Sequence, residues 1–143
     1  MRRRVAAAAL VVALPVLLTG CGAVDLVEKR TSGTAADRAA LDHAWRTPAS
    51  QPDWVPADAT KIRYVAATGG AADATPAAVR ATTASALPGT CTTVHRYSLE
   101  SFGEDWAPGS VPDEAERCGN WAVVRVHGGW FGWTPLSPRE REE

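Results

Sequence analysis

Trp121-Ala122-Val123-Val124-Arg125-Val126, then His127-Gly128-Gly129, then Trp130-Phe131-Gly132-Trp133 is the stretch from which the fold is read. Aromatic and β-branched residues on either side of a glycine pair predict a β-hairpin. Glycine tolerates positive φ in the tight turn, and that turn sets the strand register. Trp130 and Trp133 stand three apart, so on a strand they point to opposite faces. One is expected to fill the core while the other projects as a candidate ligand or partner surface.

Upstream of the hairpin, Lys61-Ile62-Arg63-Tyr64-Val65-Ala66 alternates polar with apolar residues and places Ile62, Tyr64 and Ala66 on one strand face. Gly69 and Gly70 open a turn. Residues 77–83 stay open between helix and strand, with Val79, Thr82 and Thr83 favouring the extended form. Leu87-Pro88-Gly89-Thr90 reads as a turn, 92–98 as a further strand and the acid-rich 100–117 as a surface loop. Nearer the N-terminus, Thr34 with Asp37 resembles a capping box, and Ala40, Leu41, Ala44 and Trp45 recur at helical spacing. The pattern predicts one helix over about residues 35–46 that stops before Pro48. Pro52 and Pro56 frame Trp54 in an extended segment, where its ring plugs the edge of the core. Beyond Pro135 and Pro138, residues 139–143 read as a charged, frayed tail. The expected fold is α+β: one N-terminal helix packed on a small, mainly antiparallel, disulfide-stapled sheet of four or five strands, forming a single domain over 34–138.

The extreme N-terminus reads as an address. Arg2, Arg3 and Arg4 precede an uncharged apolar run from Val5 to Leu18, the layout of an export signal. As a helix that run reaches about 21 Å, short of a hydrocarbon core of about 30 Å, so it is no permanent membrane span. It ends in Leu18-Thr19-Gly20-Cys21, which resembles the lipobox of bacterial prolipoproteins. The resemblance implies cleavage after Gly20 and a diacylglyceryl thioether on Cys21, with fatty acyl chains such as palmitate. Two chains anchor a protein durably where one holds it only marginally, at about 0.8 kcal/mol per buried methylene. The triple arginine leaves Sec and twin-arginine export both open. Residues 21–33 then form a tether with a coil reach of about 20 Å, and the domain faces outward from the cell membrane.

Of the three cysteines, Cys21 takes the lipid, and Cys91 and Cys118 remain as a pair. In an oxidising compartment such a pair bonds. The bridge closes a loop of about 28 residues, which contributes on the order of 3.5 kcal/mol by restricting the unfolded chain.

Charge narrows the partners. With 15 basic and 16 acidic residues in all, loss of the three signal arginines leaves a mature formal charge of −4. That balance argues against nucleic acid, which requires a basic footprint. His43, His95 and His127 lie in separate elements, and no nucleophile motif accompanies them. Glu104 with Asp105, and Asp113 with Glu114 and Glu116, lack the oxygen-ligand spacing of a calcium loop. No cofactor or metal site and no catalytic residue is expected.

Thirteen arginines against two lysines, with twenty-seven alanines, resemble the usage of GC-rich actinobacteria. Trp54-Val55-Pro56-Ala57-Asp58-Ala59-Thr60 followed by Ile62-Arg63, and the closing Cys118-Gly119-Asn120-Trp121 and Gly128-Gly129-Trp130-Phe131-Gly132-Trp133, make most of residues 51–135 resemble small actinobacterial secreted or lipid-anchored proteins of uncharacterised activity. The resemblance implies a shared fold and carries no catalytic residue. The expected function is a non-enzymatic accessory module of the cell envelope that contacts a neighbouring membrane protein. The alternative is a cell-wall or carbohydrate-binding module using exposed tryptophan, with a small hydrolase ranked behind both.

Overall fold

A computed structural model describes residues 29–143 apart from Thr90. The signal run, Leu18, Thr19, Gly20 and Cys21 lie outside the described residues. Seven strands and two short helices follow one another: β1 (Arg30–Asp37), α1 (Arg38–Ala44), β2 (Thr60–Ala67), β3 (Ala77–Thr82), β4 (Thr92–His95), β5 (Glu114–Cys118), β6 (Trp121–Val126), β7 (Gly129–Thr134) and α2 (Pro138–Glu142). The strands form one sheet in the order β1-β2-β3-β7-β6-β5-β4. Every neighbouring pair is antiparallel.

The expectation of one N-terminal helix on four or five strands is therefore corrected to a seven-stranded antiparallel sheet with little helix. Three segments account for the difference. Residues 30–37, expected as tether and first helical turn, are β1, paired with β2 from Arg30↔Ala67 to Asp37↔Thr60. Its small residues allow this: a Cβ on Gly33 would come within 2.7 Å of the Tyr64 hydroxyl on β2. The helix starts only after Asp37, whose Oδ1 accepts the Ala40 N–H at 2.8 Å, so Asp37 and not Thr34 is the cap. The end of the acidic stretch is β5, where buried Ala115 sits between Glu114 and Glu116. The C-terminal tail is α2 in place of a frayed end. Ser137 and Glu140 close a capping box there, and Glu140 is fully buried.

Other features follow the sequence pattern. β6 and β7 make the hairpin, with Val126 opposite Gly129 and Gly128 at φ +77° in the turn. β3 is a strand because it lies between β2 and β7, where Ala77, Ala78, Val79 and Ala81 are all buried. Alanine by itself favours helix over strand, and burial between two paired neighbours overrides that preference here.

Both faces of the sheet are covered. One carries Ile62, Tyr64, Val79, Trp121 and Val123 beneath Leu41 of α1 and the rings of Trp45 and Trp54. The other carries Val65, Ala78, Val124, Phe131 and Trp133 beneath Leu136, with Phe102, Trp106 and Val111 packed at its margin. β7 is the middle strand, flanked by β3 and β6. At its centre Gly132 has no side chain, and the Trp54 indole occupies that place: a Cβ on Gly132 would lie 2.5 Å from Trp54 Cζ2.

Gly132→Ala is accordingly expected to destabilise the domain by about 1–3 kcal/mol through overpacking. Trp54→Leu in the same chain should recover part of that loss. Urea denaturation of the two single variants and the double variant measures the coupling, and additive losses would contradict the contact.

Candidate functional site

β4 and β5 run antiparallel with Thr92 opposite Arg117, a register that sets Cys91 directly across from Cys118. The two are disulfide-bonded with their Cα atoms 4.5 Å apart, the spacing of a non-hydrogen-bonded cross-strand pair. This bridge forms one wall of a cleft of about 470 Å³, within the range of small-ligand sites. Trp54 and Trp121 lie at its floor, and Ser50, Gln51 and Asn120 at its rim. Asn120 Nδ2 donates to Ser50 Oγ at 3.0 Å, and the Trp121 indole donates to the Gln51 carbonyl at 3.1 Å, so the rim is held by its own bonds. Asp53 is the one charged side chain among the described lining residues. The cleft offers hydroxyl, amide and apolar contacts, with no histidine or second carboxylate to pair in proton transfer.

A second cleft, of about 370 Å³, opens on the opposite face between Arg96, Leu99, Pro108, Val111, Phe131 and Trp133. Leu99 and Tyr97 beside it are the two large apolar side chains exposed among the described residues.

The tryptophans serve the core. Trp133 is 1% exposed and donates its indole N–H to Ser98 Oγ at 2.9 Å. Trp130, on the other face, is half-buried; its N–H goes to the Ser85 carbonyl at 3.0 Å and the Arg125 guanidinium covers its ring at 4.8 Å. Trp45, Trp54 and Trp121 are buried in a chain of tilted ring contacts, and Trp106 is half-buried against Phe131. No indole of the six stands open as a stacking platform. Neither cleft was legible in the sequence, because the first gathers residues from three separate loops and the second sets the β4–β5 loop against strand β7.

The polar clusters are held by partners. Ser85 Oγ and Thr83 Oγ1 donate to Asp58, and these two bonds hold its carboxyl below its ordinary value. Glu104 pairs with Arg30, and Arg96 reaches Asp113 at 3.8 Å. His43, His95 and His127 are exposed on α1, β4 and the β6–β7 turn, far from one another in the chain. No group of three or more His, Cys, Asp or Glu among the described residues is arranged to hold a metal ion.

The chain matches no protein-family model, no curated protein and no solved structure.

Glu140 is the one buried charged side chain among the described residues. Its carboxylate accepts the N–H groups of Tyr97 at 2.9 Å, Ser98 at 3.0 Å and Ser137 at 2.7 Å, and the Ser98 hydroxyl at 2.9 Å. Burial pushes its pKa up, but these donors outweigh burial and hold it below the usual carboxylate value. Ser98 Oγ also accepts from Trp133, so one hydroxyl links the core to α2.

A folded pKa below the unfolded one means that Glu140 stabilises the domain above the unfolded carboxylate pKa of about 4.3 and ceases to as pH falls through the folded value. Glu140→Gln is expected to cost about 2–4 kcal/mol at neutral pH and to flatten the acid limb of the stability curve. Thermal melts of both chains across the acid range check this, and parallel curves would contradict it.

Proposed function

We infer that this chain is a membrane-anchored extracytoplasmic lipoprotein acting as a non-enzymatic binding module of the cell envelope. The observation that supports the extracytoplasmic placement is the Cys91–Cys118 disulfide, and the anchoring rests on the Cys21 motif. The disulfide fits an oxidising compartment and uses the two cysteines outside the Leu18-Thr19-Gly20-Cys21 motif, which leaves Cys21 for lipid. The three signal arginines, the apolar run and the small residues before Cys21 support the same reading. No helix among the described residues is long and apolar enough to cross a membrane.

Binding, as opposed to catalysis, is supported by the larger cleft, whose described lining has contact groups and no acid–base pair. A partner in or beside the membrane suits a domain whose first strand begins nine residues after the lipidated position. A wall polymer is the second reading, favoured by the hydroxyl and amide rim at Ser50, Gln51 and Asn120. In that reading the polymer meets the rim of this cleft and not Trp130 or Trp133, whose rings are covered.

Cys21→Ser is expected to move the protein from the detergent phase to the aqueous phase in a phase-partition assay while leaving the folded domain intact. Unchanged partitioning of the variant would overturn the anchoring.

A further inference from the structure

The two edges of the sheet are finished differently. At β4, the Arg96 N–H bonds inward to the Asp113 carbonyl, so the N–H groups of His95 and Tyr97 point out from the sheet. Both are taken by carboxylates: Glu143 accepts from His95 at 2.9 Å and Glu140 from Tyr97 at 2.9 Å. Helix α2 therefore guards this edge against another strand. At β1 the inward bond from the Thr68 N–H to the Lys29 carbonyl fixes the opposite phase. Residues 31, 33, 35 and 37 face β2 through their backbone, and Arg30, Ser32, Thr34 and Ala36 direct N–H and C=O outward. No strand lies beyond β1 among the described residues, and Thr31 to Ala36 carries no charge and no proline of the kind that blunts an edge.

We propose that β1 is a self-association edge, at which two copies of this chain pair antiparallel about a two-fold axis through Gly33. In that register Arg30 of each copy exchanges hydrogen bonds with Ala36 of the other, and Ser32 with Thr34, so all four outward positions are used. The same register sets Lys29 of each copy across from Asp37 of the other, opposite charges at both ends of the ladder. The four outward positions are symmetric about Gly33, which makes a second copy a self-complementary occupant. Because α2 guards the β4 edge, the assembly closes as a dimer and does not extend into a fibre.

Anchoring adds local concentration, and for that one term the proposal rests on the lipoprotein reading. Arg30 is nine positions after Cys21, a reach of at most about 30 Å, so the pairing edges of neighbouring anchored copies are confined to one thin layer.

The test uses the full chain in its membrane. Two differently tagged forms, one with Ser32→Cys and one with Thr34→Cys, are co-expressed and the membranes oxidised with copper phenanthroline. Directly opposed strand residues lie about 5.5 Å apart, within disulfide range. The expected result is a mixed dimer at twice the monomer mass, reversed by reductant and absent for Thr93→Cys at the guarded edge. Thr34→Pro, placed in the partner that carries Ser32→Cys, removes an N–H that β2 does not use. It should abolish the dimer while leaving the thermal melt close to that of the parent. Mixed dimers no more abundant than the Thr93→Cys background, or crosslinks to a different protein in place of a second copy, would overturn the proposal. The Cys21→Ser partition assay is read separately, so a failure of anchoring and a failure of pairing give different results.

Discussion

The indole of Trp54 lying on the bare Cα of Gly132 is the contact on which the rest of the domain depends. β7 is the central strand, and both of its faces must be covered for a sheet this wide to be stable. On one face glycine removes the side chain, and Trp54, buried with Trp45 and Trp121, fills the space. On the other, Phe131 and Trp133 project from the same strand into the second layer. The close approach has a cost: Trp54 Nε1 is buried with no hydrogen-bond partner among the described residues. Four of the other indole N–H groups, those of Trp45, Trp121, Trp130 and Trp133, all find acceptors. In a domain of this size, with alanine at so many core positions, aromatic area replaces the branched aliphatic residues of a larger core.

The β4 end of the sheet is closed by covalent and ionic devices drawn from distant sequence. The Cys91–Cys118 bridge ties the last two strands together, and Glu140 carries the C-terminal helix onto the backbone that follows β4. Arg117 on β5 completes this by donating to the Glu140 and Arg141 carbonyls at the end of that helix. The result is asymmetric, with one edge locked and the other, at β1, directing backbone donors and acceptors outward.

Much of this was legible in the chain. The 121–133 hairpin shows in its glycine pair and aromatic flanks, the face carrying Ile62, Tyr64 and Ala66 shows in the alternation of Ile62 and Tyr64 with Lys61 and Arg63, and the disulfide follows from counting cysteines. What was hidden has physical causes. β1 is built of small and polar residues whose only requirement is to fit against Tyr64, so no apolar period marks it. β5 presents a single inward residue, Ala115, between charges that mimic a solvated loop. The C-terminal helix looks like a frayed tail because its burial rests on one glutamate, a residue type that is rarely buried unless its charge is satisfied. Local pattern records propensity and alternation; a buried carboxylate held by three donors from residues 97 and 98, or an indole over a glycine, is set by tertiary contacts between residues about 40 to 80 positions apart.

The central claim is that one chain carries a lipid on Cys21 and a disulfide between Cys91 and Cys118. Intact-mass spectrometry of the protein extracted from membranes, alkylated before and after reduction, tests both at once. The account predicts residues 21–143 bearing a diacylglyceryl group, with no alkylation until reduction and two alkylated cysteines after it. An unmodified or uncleaved N-terminus, or alkylation of Cys91 and Cys118 without reduction, would contradict it.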